Sequence, residues 1–164
     1  MNKETYASLM NNIKSRPKLA DFIVFANKVT TYIVYVVFGI FMTTLLIKRD
    51  DRLLRILLTT AISFFIVSVF RKIYNRERPY EKFGTKSVIE KEKKGNSFPS
   101  RHVFSSFVIA IACLYVNLML GLSVLVISVC IAVLRVVGGV HYISDVIAGA
   151  LIGVISGIIG LYLI

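Results

Sequence analysis

The sequence predicts an all-α integral membrane protein, a bundle of five to six transmembrane helices with its functional site at one membrane face. Of its 164 residues, 56% are hydrophobic, and the mean hydropathy is +0.74. A soluble domain has about 45–50% apolar residues. Here the excess falls in long apolar runs, which is typical of membrane-spanning segments. We expect a single domain over residues 1–164.

Five hydrophobic runs are the candidate spans. A hydrocarbon layer of about 30 Å requires about 20 helical residues, so the fourth run is short for a span. Gly121 alone separates the third run from the fourth, and it is the expected break between two helices. The runs cover residues 22–47, 53–70, 102–120, 122–137 and 146–164.

Glycines recur along the last run at positions 149, 153, 157 and 160. Small residues at this spacing let two helix backbones approach closely, so the pattern predicts a packing surface rather than a chemical site. The polar segment 1–20 differs from the runs, and we expect it to form an interfacial helix. Tyr6, Leu9, Met10 and Ile13 would share one side of that helix.

The net charge of +11 is concentrated in one part of the chain. Between residues 71 and 94 there are nine Lys or Arg against four Glu, within a segment, 71–101, that we expect to be an active-site loop. Basic segments beside spans favour anionic lipid headgroups. Nucleic acid is the other usual partner of basic stretches, but the apolar chain contains no nucleic-acid-binding module, so we exclude it.

Counting spans brings three polar segments to one membrane face. The second span ends before 71–79, the third begins after 99–102, and the fourth ends and the fifth begins around 135–145. Ionisable residues at such positions are costly, and they are a functional hypothesis by default.

Two histidines suggest the chemistry of this face. His141 and Asp145 are four residues apart, which on a helix places them on one face. A carboxylate that holds one imidazole nitrogen leaves the other free as a nucleophile. His102 comes from another helix and is suited to donate a proton to a leaving oxygen. A plain His–Asp ion pair and a helix-start histidine are the structural alternatives.

The remaining polar residues indicate a phosphate ligand. Ser100 is the expected N-cap of the third helix, whose first amides are unsatisfied and favour an anion. Guanidinium groups bind phosphate oxygens in pairs and stabilise the charge of phosphoryl transfer. Four of them accompany the two histidines: Arg71, Arg78, Arg101 and Arg135.

These residues resemble the type-2 phosphatidic acid phosphatase superfamily. Its three-part pattern is Lys-x6-Arg-Pro, then Pro-Ser-Gly-His, then Ser-Arg-x3-Gly-x-His-x3-Asp. The chain has Arg-x6-Arg-Pro at 71–79, Pro-Ser-Arg-His at 99–102, and Leu-Arg-x3-Gly-x-His-x3-Asp at 134–145. The order, the spacing and the position at span ends all agree.

The chain departs from the family pattern at three motif positions. Arg71 replaces the lysine, although Lys72 lies one position out of register. Arg101 replaces the glycine, and Leu134 replaces the serine. The family core usually has six spans, whereas we count five here and expect residues 4–20 to replace the first family helix.

The resemblance implies a role for each residue at a matching position. His141 attacks phosphorus to give a phosphohistidine, Asp145 holds His141, and His102 protonates the leaving oxygen and then activates water. The resemblance also implies that no metal or other cofactor is needed, since arginines supply the positive charge. The phosphate ligands it implies are Arg71, Arg78, Ser100, Arg101 (mainly through its amide) and Arg135.

The family acts on lipid phosphates in membranes. Similarity to its bacterial members implies undecaprenyl diphosphate as the substrate, with phosphatidate or phosphatidylglycerophosphate as alternatives. The positive-inside rule places segments 1–20 and 71–94 in the cytoplasm, whereas the resemblance implies an extracytoplasmic site. Because the loop cations can serve the substrate instead, we expect the extracytoplasmic face of the cell membrane.

Two other functions remain open at this point. A metal-dependent hydrolase could use His102, His141 and Asp145 as ligands, although the arginines would repel a divalent cation. A transporter or lipid-binding protein would also place ionisable residues in its spans.

Overall fold

The computed structural model describes residues 2–90 and 94–164, and within them the regular structure is entirely helical. The all-α membrane fold is therefore confirmed. A π-helical turn, Ile159–Leu163, continues the last helix. The α-helices are α1 Lys3–Lys14, α2 Pro17–Ile47, α3 Arg52–Tyr74, α4 Pro79–Phe83, α5 Arg101–Val116, α6 Leu118–Val137 and α7 Ile143–Ile158.

Helix α5 is the centre of the bundle. Ten of its residues are buried, and it packs most extensively against α6 and α7. Within the described ranges, four helical segments are long and apolar enough to cross a membrane, beginning at Pro17, Arg52, Leu118 and Ile143, and α5 is a shorter apolar helix. Large hydrophobic side chains on α2 and α3 point outward, as contact with lipid requires.

The break between α5 and α6 lies at Asn117, so the expected break at Gly121 is wrong. Asn117 caps α6, because its side-chain oxygen accepts a hydrogen bond from the amide of Leu120 at 2.9 Å. Gly121 instead lies within α6, where a Cβ atom would collide with the backbone of Leu114. The glycine therefore serves close packing, and it is α5, with 16 residues, that is short.

Helix ends from distant parts of the sequence meet at one end of the bundle. The amide of Ser100, before α5, donates to the carbonyl of Asp145 in α7 at 2.9 Å. The amide of Ser97 donates to the carbonyl of Arg76, after α3, also at 2.9 Å. At the other end, Arg55 donates to the carbonyl of Leu161 at 3.4 Å. The span counting that placed the three motifs at one face is thus confirmed.

The glycines of α7 hold this arrangement together. A Cβ atom at Gly149 would lie 2.7 Å from the carbonyl oxygen of Ser100, and one at Gly153 would lie 2.7 Å from that of Phe104. Gly157 lies against Ile111, and Gly160, in the π-helical turn that continues α7, lies against Thr59 of α3. The predicted packing stripe therefore lies against α5 for most of its length, and it brings the start of α7 close to the start of α5.

Helix α1 covers the turn between α6 and α7. Tyr6, Met10 and Ile13 are buried, and Leu9 packs with them, so the predicted shared face is present. This face contacts protein, including Val88 and Phe83. The phenol of Tyr6 donates to the carbonyl of Gly139 at 2.9 Å.

We predict that Gly149→Ala destabilises the bundle by about 1–3 kcal/mol, the usual cost of overpacking. The new methyl group would meet the backbone of Ser100, which has no freedom to rotate away. Gly39→Ala is the matched control, because a Cβ atom at Gly39 in α2 has nothing within 4 Å. The measurement is the temperature at which half of the detergent-purified protein loses monodispersity. Equal temperatures for the two variants would contradict the packing role.

Candidate active site

Both histidines of the motifs line one cavity at the end of the bundle. We call it the histidine cavity; its volume is about 360 Å³, within the range of small-ligand sites. Four cationic side chains share its wall, and no carboxylate does so among the described residues. The lining residues are Ser68, Arg71, Lys72, Arg78, Asn96, Arg101, His102 and His141.

The carboxylate of Asp145 is fully buried beside this cavity and accepts hydrogen bonds from several segments of the chain. One oxygen accepts from the hydroxyl of Ser97 at 2.5 Å and from the amide of Tyr142 at 3.0 Å. The other accepts from the guanidinium of Arg76 at 2.7 Å. A buried carboxylate without partners is strongly unfavourable, so these donors fix its position.

His141 contacts Asp145 through Nδ1, which lies 3.4 Å from the carboxylate oxygen. The pair does not lie on one helical face as expected from the spacing, because α7 begins only at Ile143 and His141 belongs to the preceding turn. The contact arises because Asp145 folds back in the first turn of α7 to receive the amide of Tyr142. Nε2 is then the nitrogen that Asp145 does not engage.

The environment of His141 keeps its imidazole neutral. Its side chain is almost wholly buried, and burial lowers the pKa of His141 well below its ordinary value. The charges of Arg78 and Arg135 lower this pKa further, while the contact with Asp145 opposes them. An uncharged imidazole has a free lone pair, which a nucleophile requires.

Arg71 and Arg78 form the buried part of the cavity wall, and backbone carbonyls fix both of them. Arg71 donates to the carbonyls of Pro99 and Asn96. Arg78 donates to the carbonyls of Gly95 at 3.0 Å and Val140 at 3.1 Å. Guanidinium groups held in this way are preorganised to receive an anion.

Arg135 is buried near His141 but does not line the cavity. Its side chain is 2% exposed, and its charge acts on the pKa of His141. Two of its nitrogens, Nε and Nη1, have no hydrogen-bond partner within the described part of the chain. The backbone carbonyl of Arg135 also accepts a hydrogen bond from the amide of His141 at 3.3 Å. Arg135 therefore helps to position the turn that carries His141.

Ser100 is the N-cap of α5, as the sequence predicted. Its hydroxyl is buried and makes no hydrogen bond to any described residue. Arg101 begins the helix with an exposed side chain, whose guanidinium carbon lies 5.5 Å from the centre of the Phe64 ring. The chain therefore places Ser100 within the protein and the side chain of Arg101 along the cavity wall.

Sequence reasoning missed Arg76 and Ser97, the two side chains that hold Asp145 from other segments. The guanidinium of Arg76 also lies 4.4 Å from the centre of the Tyr142 ring. Arg76 lies at an unspecified position of the first motif and Ser97 lies just before the second, but their contacts with Asp145 depend on the loop conformation. It also missed Ser68 and Asn96 and left Lys72 without a role, although all three line the cavity.

The metal-site alternative lacks a ligand set in the described ranges. No three His, Cys, Asp or Glu side chains are grouped there so that they could hold a metal ion. Both oxygens of Asp145 are already engaged by Ser97, Tyr142 and Arg76.

Similar proteins of known sequence or structure are found in bacteria. The chain is 33% identical over 101 residues to the "bacitracin transport permease protein BcrC" of Bacillus licheniformis. The matched region covers 59% of this chain. The chain spans about half the length of this relative, since the match covers 50% of it.

Two solved structures share the fold. LpxE of Aquifex aeolicus superposes with a TM-score of 0.75 at 26% identity, over 98% of this chain and 94% of that chain. A transmembrane PAP2-type phosphatidylglycerolphosphate phosphatase of Bacillus subtilis superposes with a TM-score of 0.70 at 19% identity, over 96% and 83%.

The family model that matches the chain covers the three motifs and the helices that carry them. It matches residues 52–164, from the first residue of α3 to the last residue of the chain. The resemblance seen in the motifs is thereby confirmed, and this multi-pass membrane protein belongs to the PAP2 superfamily.

Proposed function

We propose that this chain is a lipid phosphatase that works through a phosphohistidine at His141. The observation that carries the proposal is that His141 and His102, 39 positions apart in the printed sequence, line one cationic cavity at the end of the bundle. Membership of the PAP2 superfamily supports the same reaction. Phosphate esters and anhydrides are the substrates that a cavity of guanidinium groups favours.

In the first step, Nε2 of His141 attacks phosphorus. A P–N bond forms, the P–O bond to the leaving group breaks, and the electron pair of that bond stays on the leaving oxygen. His102, as an imidazolium, gives this oxygen its proton. Asp145 stabilises the positive charge that develops on the ring of His141, to which it is 3.4 Å distant.

In the second step, water attacks the phosphohistidine. His102 takes a proton from the water, the P–N electron pair returns to His141, and inorganic phosphate leaves. Throughout both steps, Arg71 and Arg78 bind the phosphoryl oxygens. Ser100 and the backbone amide of Arg101 complete the anion site at the start of α5, and Arg135 adds positive charge from outside the cavity wall. These arginines supply the positive charge that a metal ion provides in other phosphatases, so we propose that no metal or cofactor takes part.

The proposed substrate is undecaprenyl diphosphate, and the alternative substrates are phosphatidate and phosphatidylglycerophosphate. A cavity at the edge of an apolar bundle suits an amphiphile whose phosphate lies at headgroup depth. We place the site at the extracytoplasmic face of the cell membrane, following the similarity to bacterial family members.

His141→Ala should lower phosphate release from undecaprenyl diphosphate by at least about a thousandfold, because the nucleophile is lost. Substrate labelled on its terminal phosphate should leave an acid-labile, base-stable phosphoprotein in the unsubstituted chain and none in the variant. Cys130→Ala, which truncates an exposed side chain of α6, is the control for detergent handling. A labelled His141→Ala protein would exclude His141 as the nucleophile.

Vanadate should inhibit phosphate release, because it adopts the trigonal-bipyramidal geometry of the phosphorus under attack. Excess EDTA should leave the rate unchanged if the arginines carry the charge stabilisation. The same purified protein is assayed with each reagent on a lipid phosphate in detergent. Activity that EDTA abolishes and Mg²⁺ restores would overturn the metal-free mechanism.

Arg76→Gln should lower kcat by about tenfold or more with a smaller change in KM, because the ion pair that positions Asp145 is lost. Arg76→Lys should recover part of the rate, since it keeps the charge. Arg49→Gln, the same substitution at an exposed position beyond α2, is the matched control. A loss confined to KM would show that Arg76 acts on substrate binding instead.

Transport is the second candidate, which the name of the Bacillus licheniformis relative favours. A transporter moves its ligand unchanged, whereas the proposed phosphatase consumes lipid phosphate and releases inorganic phosphate in equal amounts. Reconstituted vesicles that move the lipid without releasing phosphate would favour transport.

A further inference from the structure

We infer that Lys72, Ser68 and Arg101 form a second anion subsite in the histidine cavity, which holds the phosphate that remains on the lipid. This inference rests on the proposed phosphatase function and narrows its substrate to lipid diphosphates. We call these three residues the outer subsite. All three line the same cavity as His141 and His102.

The cations of the cavity form two groups that differ in burial and in partners. Arg71 and Arg78 are 7% and 4% exposed, and loop carbonyls hold both of them. Lys72 and Arg101 are exposed residues. The buried pair therefore belongs with the buried nucleophile, His141, whereas the exposed pair lies toward the opening of the cavity.

Helix α3 places two members of the outer subsite on one side. Ser68 and Lys72 are four residues apart in α3, so they are neighbours on its surface. Phe64 is one turn further along the same side, and the guanidinium of Arg101 lies over its ring. Arg101 thus reaches from the start of α5 toward the face of α3 that carries Ser68 and Lys72.

Ser68 contributes a hydroxyl with hydrogen-bonding capacity to spare. Its oxygen is buried and makes no hydrogen bond to any residue in the described ranges. Other hydroxyls of the spanning helices, such as that of Ser63, donate to a carbonyl one turn earlier. A buried hydroxyl is normally hydrogen-bonded, and a phosphate oxygen between Lys72 and Arg101 would be a suitable acceptor.

The charge of the cavity matches a diphosphate better than a monophosphate. Arg71 and Arg78 suffice to bind the three oxygens of the phosphoryl group under attack, which leaves Lys72 and Arg101 without an anion. In a lipid diphosphate the second phosphorus is one bridging oxygen away, and it carries further negative charge. When His141 attacks the terminal phosphorus, the outer subsite stabilises the lipid monophosphate as it leaves.

Two positions where the chain departs from the family pattern fall in this subsite or beside it. Arg101 stands where the pattern has glycine, and Lys72 follows Arg71, which stands where the pattern has lysine. Arg101 adds a cationic side chain, Arg71 exchanges one cation for another, and Lys72 is a further cation at a position that the pattern leaves open. The additional charge of the cavity therefore comes from residues particular to this sequence.

The test compares farnesyl diphosphate with farnesyl monophosphate in mixed micelles, because the two differ only in the second phosphate. Lys72→Ala and Arg101→Gly should each lower the ratio of kcat/KM for the diphosphate to kcat/KM for the monophosphate by about tenfold, the loss expected from one charge-assisted hydrogen bond. Lys72→Arg should restore most of the ratio. Lys82→Ala, an exposed lysine of α4 that does not line the cavity, should leave the ratio unchanged.

Each other result has a distinct meaning. If both substrates lose activity in parallel in Lys72→Ala and Arg101→Gly, the outer subsite is refuted while the phosphatase function stands. If these two variants keep the ratio for the farnesyl lipids but lose kcat/KM for phosphatidylglycerophosphate, the diphosphate assignment is refuted. The second phosphate of that lipid is a diester further along the headgroup. If the unsubstituted protein hydrolyses none of the three lipids, the proposed function itself fails.

Discussion

The buried carboxylate of Asp145 is the constraint on which the rest of the site depends. Its side chain has no exposed surface, and an unpaired charge in that position would be strongly unfavourable. Its donors come from three segments: Arg76 after α3, Ser97 before α5, and Tyr142 before α7. The same residue also accepts the amide of Ser100 at its backbone carbonyl. The charge is therefore satisfied only when these three segments are folded against one another.

The choice of arginine over lysine in the buried wall follows from the number of bonds each must make. A guanidinium group has five N–H donors in a fixed plane, whereas an ammonium group is a compact point charge. Arg78 uses donors on Nε, Nη1 and Nη2 for the carbonyls of Gly95, Val140 and Asn96, and it retains its remaining N–H groups for an anion. Arg71 likewise bridges Pro99 and Asn96. Arginine at position 71 can thus fix the loop and bind phosphate at the same time.

The sequence predicted the parts of the site that depend on spans and spacing. His102, His141 and the arginines reach one face because hydrophobic runs fix where each helix ends. It did not predict the Arg76–Asp145 ion pair, since 69 positions separate these residues and the loop conformation alone brings them together. The contact of His141 with Asp145 was expected for the wrong reason. Asp145 folds back over the first turn of α7 and so contacts a residue four positions earlier, which is also the spacing of neighbours on one face of a helix.

The glycines and Asn117 show a similar limit. A glycine between two apolar runs is compatible both with a break between two helices and with close packing of one helix against another. Only the position of the neighbouring helix distinguishes the two. At Gly121 the backbone of Leu114 occupies the space of a side chain, so packing prevails and Asn117 ends α5. In α7 the regular spacing of four removed the ambiguity, because a break cannot recur at every turn of a helix.

Helix α1 supports the turn between α6 and α7 that leads to His141. Gly139 has a φ angle of +77°, a conformation that favours glycine. A Cβ atom there would lie 2.5 Å from the sulfur of Met10 and 2.9 Å from the phenol oxygen of Tyr6. The turn that leads to His141 is therefore pressed directly against α1, and Tyr6 satisfies its carbonyl. Burial raises the pKa of Tyr6, which keeps the phenol protonated as the donor. An amphipathic helix of twelve residues thus supplies the contacts that this turn needs, and it does so from the same face as the catalytic motifs.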